Sequence, residues 1–177
     1  MLRAFLATVL GLLASTANAW TLQESVDAMS DKASRQVLVT APDGSTFTLL
    51  RKTDGSVWGY LKITGSNQFM VNERLMMRID KDKPIEFNED LDQLMAKLGN
   101  PLSSWEWNPS LIGFRMWHGN SSKGCGLIKR LMESSTLVVR YHPNKSLIRD
   151  IQFNTEANRD LIGKALDLDV VQCVESR

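Results

Sequence analysis

Hydrophobic residues recur along this chain at two spacings, and the spacing changes where the elements change. Gln36 to Ala41 is a β-branched run ended by Pro42-Asp43-Gly44, a turn in which Pro presets φ and Gly accepts a positive one. Thr46 to Arg51 follows, Thr53-Asp54-Gly55 turns the chain again, and Val57 to Ile63 makes a third strand. Turns about ten residues apart between such runs mark a hairpin or meander. Arg74 to Asp80 reads as a fourth strand, and Trp105 to Trp107 and Leu111 to Trp117 read as extended. Leu137, Val139 and Tyr141 alternate with Val138, Arg140 and His142, the period of a strand with two unlike faces. Ile148 to Phe153 is the next strand.

Helical spacing appears in three places. Leu91, Leu94, Met95 and Leu98 share one face of a helix opened at Asn88 or Glu89 and stopped by Gly99-Asn100-Pro101. Gly126 to Met132 predicts a short helix. A third starts at Thr155 and runs toward Leu168, with Leu161, Ile162, Ala165 and Leu166 as its apolar stripe. Residues 22 to 34 are polar and weakly patterned, a lead-in with a short helix. The pattern predicts an α+β fold: a single antiparallel β-rich domain, a curved sheet or small sandwich, with two or three helices.

The first residues stand apart from that pattern. Arg3 gives a basic start, Ala4 to Ala14 an apolar stretch too short to span a bilayer, and Ala17-Asn18-Ala19 a small-residue cleavage site. The expectation is a signal peptide over residues 1–19, cleavage at Ala19-Trp20, and a periplasmic domain over residues 20–177 with no membrane span. Removing residues 1–19 takes away Arg3 and no acid, so the formal charge of +1 falls to zero. A neutral exported domain has no reason to bind nucleic acid. Residues 20–177 are long enough to bury a hydrophobic core unaided.

Export changes the meaning of the two cysteines. Cys125 and Cys173 are the only ones, 48 positions apart, and an oxidising compartment favours pairing them. Closing that loop is worth roughly 4 kcal/mol by chain-entropy arithmetic. The alternative is a reactive thiol at Cys125, between Gly124 and Gly126, which leaves Cys173 without a role.

Several short motifs occur in a set order. Arg78-Ile79-Asp80 precedes the helix near Gly124-Cys125. Leu137-Val138-Val139-Arg140-Tyr141-His142-Pro143-Asn144 comes next, then Ile151-Gln152-Phe153-Asn154, a closing amphipathic helix and Cys173. This order resembles the type VI secretion-associated periplasmic proteins of the TagO/VasI kind. It is similar, more loosely, to exported β-sandwich proteins of the invasion-associated locus B type. Asn154 stands where the first family carries an acid, and the Trp-rich stretch 105–117 has no counterpart in it. The resemblance covers a little over half of the chain and implies an accessory or interaction role in the periplasm rather than catalysis.

Catalytic readings compete with plainer ones. A Cys125–His118 pair oriented by Asp80 or Asp150 has the residue types of a nucleophilic centre, but no G-x-S-x-G elbow exists; a turn His beside a disulfide is the plain alternative. His142 precedes Pro143 and is held extended, as a surface residue. No H-x-x-x-H or C-x-x-C spacing suggests zinc. Asp80/Asp82 and Glu86/Glu89/Asp90/Asp92 lack the spacing of a calcium loop, so no metal or cofactor is expected. Glu86 and Glu106 have no spacing that selects them as a glycosidase pair.

The aromatic residues are more informative. Trp105 and Trp107 are two apart and share a strand face, with Phe114, Arg115 and Trp117 nearby. Aromatics beside Arg suit sugar rings, peptides or a protein partner; equally, they suit a core beneath a sheet. Trp58 reads as core or cross-strand packing. The expected function is a non-enzymatic accessory or binding protein that engages an envelope protein or peptidoglycan component through Trp105, Trp107, Arg115 and Trp117. The alternative is a small exported hydrolase, or an inhibitor of one, using His118 or His142.

Overall fold

The computed structural model describes residues 19–26, 33–65, 68–70, 75–86, 105–119, 125–156, 158–170 and 173, with 105–107 described at the backbone only. Among them, six strands form one antiparallel sheet in the order β1 (Thr21–Val26), β2 (Ala33–Thr40), β3 (Thr46–Arg51), β4 (Val57–Lys62), β8 (Leu111–Trp117) and β7 (Trp105–Asn108). Four form a second, in the order β10 (Leu147–Asn154), β9 (Thr136–Asn144), β5 (Met76–Ile79) and β6 (Ile85–Glu86). Helices α1 (Leu127–Met132) and α2 (Arg159–Leu166) complete the α+β fold that the period-2 pattern predicts.

Alternation decides which residues enter the core. Val37, Leu49, Gly59 and Phe114 lie opposite one another across β2, β3, β4 and β8. Leu137, Val139, Ile151, Phe153, Met77 and Ile79 are buried from the other sheet. Phe47 joins the two layers, with its ring centroid 6.1 Å from Phe114 and 6.0 Å from Phe153. Gly59 is tightly packed: a Cβ there would sit 3.1 Å from both Met116 Cγ and Phe47 Cζ, so a larger residue would require these neighbours to give by a few tenths of an ångström. Trp20 closes the end of this core. It is 6% exposed, meets Phe47 edge-on at 6.4 Å, and donates from Nε1 to the Asn154 carbonyl at 3.1 Å.

Two boundaries differ from the sequence reading. The polar stretch after Trp20 begins as strand β1, paired in register from Thr21↔Leu38 to Val26↔Ala33. It is an edge strand with every residue but Leu22 exposed, so nothing enforced an apolar alternation. The last helix begins at Arg159 rather than Thr155. Thr155 is fully buried; its N–H extends the β-ladder to the Ser135 carbonyl at 2.9 Å, and its hydroxyl lies 2.7 Å from Ser134 Oγ. The helix expected over 88–98 lies outside the described residues.

The cysteines are bonded. Cys125 and Cys173 form a disulfide with a Cα–Cα distance of 5.3 Å, so the C-terminal segment is tied beside the start of α1. Asp80 supplies a second, polar tie. It has a φ of 48°, and its Oδ1 accepts the Ser135 and Thr136 N–H groups at 2.9 and 2.8 Å. Asp80→Ala removes a carboxylate acceptor from two backbone donors and is expected to cost about 1.5–3 kcal/mol, read as a fall in the urea midpoint; Asp80→Asn, which keeps an acceptor oxygen, is expected to lose less.

Candidate functional site

The face of the six-stranded sheet that points away from the second sheet carries its own residue rows. Gln36, Leu50, Trp58 and Arg115 lie opposite one another across β2, β3, β4 and β8. Leu38, Thr48, Tyr60 and Gly113 form the next row. Leu38, Thr48, Leu50 and Tyr60 are half-buried, while their strand neighbours Val37, Val39, Phe47, Leu49 and Leu61 are fully buried on the other face.

Trp58 is the centre of this face. Its ring stacks beside Tyr60, with centroids 6.1 Å apart and planes 23° apart. Lys52 Nζ lies 3.7 Å from the Trp58 centroid and 6.0 Å from that of Tyr60. Arg115 Cζ lies 5.5 Å from the same indole. Both cations are within reach of the ring quadrupole. The indole itself is only 6% exposed.

The β3–β4 turn holds this arrangement in place. Gly55 turns with φ 84°; the Lys52 N–H donates to the Ser56 carbonyl at 2.8 Å, and the Lys52 carbonyl accepts from the Gly55 N–H at 2.9 Å. Asp54 Oδ1 accepts from the Ser56 N–H at 2.9 Å and its hydroxyl at 2.6 Å. Ser56 Oγ in turn accepts from Trp58 Nε1 at 3.0 Å. Those Ser56 bonds hold the Asp54 carboxyl below its usual pKa range, with Arg115 and Lys52 adding positive charge nearby. The chain runs from a turn carboxylate through a hydroxyl to the indole, and fixes the ring beneath two cations.

The expected binding residues fall in different places. Arg115 belongs to this face. Trp117 lies in the core, 4% exposed and opposite Val57. Trp105 and Trp107 stand opposite Phe114 and Ile112 in register; the rest of their placement lies outside the described residues. Trp58 is buried, as its reading as core or cross-strand packing expects; Tyr60, half-buried beside it, was not singled out although the pair carries the same two-residue spacing as Trp105 and Trp107.

The candidate catalytic residues are not brought together as a nucleophilic centre. Cys125 is oxidised in the disulfide. Asp80 caps β9, and Asp150 pairs with Arg140 at 2.7 Å on both oxygens, which holds its carboxyl below the usual range. His142 is half-buried, and its Nδ1 has no hydrogen-bond partner among the described residues. The described residues contain no group of three or more His, Cys, Asp or Glu arranged to hold a metal ion.

Most side chains of the short motifs serve the fold. Ile79, Leu137, Val139, Tyr141 and Phe153 are core. Asn144 Oδ1 accepts the Ser146 N–H at 3.0 Å in the β9–β10 turn, and Asn154 Oδ1 accepts the Glu156 N–H at 2.8 Å. Compared with protein-family models, curated proteins and solved structures, the chain gives no match.

Proposed function

We propose that this protein is a non-enzymatic binding module of the bacterial periplasm, delivered by cleavage at Ala19-Trp20, that engages an envelope protein or peptidoglycan component through the Trp58–Tyr60 face. One observation carries the reading: an aromatic pair on an outward sheet face, held by a hydrogen-bonded turn and flanked by Lys52 and Arg115. With Trp58 only 6% exposed, the half-buried Tyr60 ring is the one that suits sugar or aliphatic groups, and the cations suit the carboxylates that peptidoglycan and protein surfaces both carry. The apolar start of the chain and the Cys125–Cys173 bond support export to an oxidising compartment. The resemblance of residues 74–173 to proteins of the TagO/VasI kind supports an accessory place in a type VI secretion assembly.

Sedimentation with purified peptidoglycan sacculi tests the ligand half of this reading. Protein comprising residues 20–177 is expected in the pellet, and the Lys52→Glu/Tyr60→Ser variant is expected to be retained roughly tenfold less well while melting as a folded protein. A wild-type protein left in the supernatant removes peptidoglycan and leaves the envelope protein. Equal retention of the two proteins would contradict the assignment of the face.

A further inference from the structure

One end of the sandwich is open. Pro42 and Asp43 of the β2–β3 turn and Thr64 after β4 stand on one side, and Tyr141 with residues 149–152 of β10 on the other, around a groove of about 540 Å³. That is the size of a ligand pocket. The groove is separate from the Trp58 face.

β10 is the free edge of its sheet, and the direction of its backbone groups follows from two bonds. Successive residues of a strand aim their N–H and C=O groups at opposite edges. The Thr155 N–H donates to Ser135 at the start of β9, so Phe153 and Ile151 also face β9. The Asn154 carbonyl instead accepts the Trp20 indole, so Gln152 and Asp150 point away from β9, and no strand among the described residues pairs with them. Trp20 thus fills the last outward acceptor of this edge and leaves the two before it open. Of the three other edges, β1 is exposed almost throughout, and β6 and β7 are only two and four residues long.

The charges around the groove are unequal in their engagement. Asp150 is held by Arg140. Asp43 accepts the Ser45 N–H and hydroxyl at 2.9 and 3.0 Å. Arg149 is exposed at the rim and has neither a hydrogen bond nor an ion pair among the described residues. Ile151 and Tyr141 form a buried floor. Burial, and after it the Asp43 charge, pushes the Tyr141 phenol upward while Arg149 draws it down, which keeps a neutral hydroxyl between the two charges at neutral pH.

We propose that this groove takes an extended peptide segment, which adds to β10 as a fifth strand through the backbone groups of Asp150 and Gln152 and carries a carboxylate side chain to Arg149. Strand addition draws affinity from main-chain hydrogen bonds and specificity from the side chains beside them. Here the specificity element is one unpaired guanidinium, with Asp43 across the groove to repel a second acidic residue.

Amide hydrogen exchange on labelled protein (residues 20–177) tests this directly. In the free protein the Asp150 and Gln152 amides exchange fast, while those of Ile151 and Phe153 are protected. The probe is an acetylated peptide of sequence Thr-Val-Glu-Val-Thr-Val-Thr. At about 1 mM it is expected to slow exchange at Asp150 and Gln152 by about tenfold or more. Arg149→Glu is expected to weaken binding by about tenfold and to favour the same peptide with Lys in place of Glu. Gln152→Pro, which removes an outward donor, is expected to abolish the effect. No slowing at these two amides, or equal affinity of wild type and Arg149→Glu for both peptides, would overturn the proposal. Arg149→Glu is an exposed substitution, so the charge arm stands even where Gln152→Pro fails to fold.

Discussion

Removing the disulfide, by Cys125→Ala with Cys173→Ala, is expected to lower the unfolding free energy by about 4 kcal/mol and the melting temperature by about 8–16 °C. Both cysteines are buried, and the bond closes a 48-residue separation. The largest part of the effect lies in the unfolded chain, which regains the freedom of an open loop. α1 is only six residues long, has no side-chain hydrogen bond at its N-cap, and carries no acid in its first turn. Such a helix is too short to stand on its own propensity, so the covalent tie at its start and the burial of Leu127, Ile128, Leu131 and Met132 hold it. Urea melts of the wild type with and without reductant separate the bond from the side chains. Reduced wild type is expected to approach the double variant; a reduced protein as stable as the oxidised one would show that the bond contributes nothing.

Trp20→Ala is expected to cost about 3–5 kcal/mol, the usual range for deleting a large aromatic from a core. The ring fills the end of the sandwich against Phe47, and its N–H satisfies the Asn154 carbonyl. Trp20→Phe separates the two contributions: most of the packing survives, and the missing hydrogen bond is expected to cost about 1 kcal/mol. The location gives this residue a second interest. Cleavage at Ala19-Trp20 would leave as the first residue one that belongs to the core. A chain beginning at Thr21 is therefore expected to melt like Trp20→Ala, and a chain beginning at Trp20 like the intact fold. Equal melting of both shortened chains would show that the indole contributes little.

Much of the fold was legible because alternation and turn chemistry agree. Pro42-Asp43-Gly44 and Thr53-Asp54-Gly55 turn where expected, and β9 places Leu137, Val139 and Tyr141 inward as their spacing requires. β1 was illegible for a physical reason: an edge strand that buries part of one side chain, Leu22, carries no apolar period, and its register comes from β2. The Thr155 boundary was misplaced because a buried hydroxyl bonded to Ser134 looks in sequence like a helix cap. The site was less legible than the fold. Trp58 and Tyr60 share a strand face by their spacing, but whether that face meets a second sheet is a matter of tertiary layering that one strand's sequence does not carry. Arg115 was selected for its aromatic neighbours in sequence, yet its ring partner is Trp58, opposite it on β4. Trp117 shared that neighbourhood and turned into the core.

The proposed partner site is the Trp58–Tyr60 face. Site-specific photo-cross-linking in the native host tests it most directly, with benzoylphenylalanine placed at Tyr60 or Lys62 on this face and at Ser34 on β2 near the opposite edge as a comparison. An adduct of one discrete mass is expected from positions 60 and 62, none from position 34, and loss of that adduct when Lys52→Glu is added. An adduct formed equally well from position 34, or one indifferent to Lys52→Glu, would contradict it.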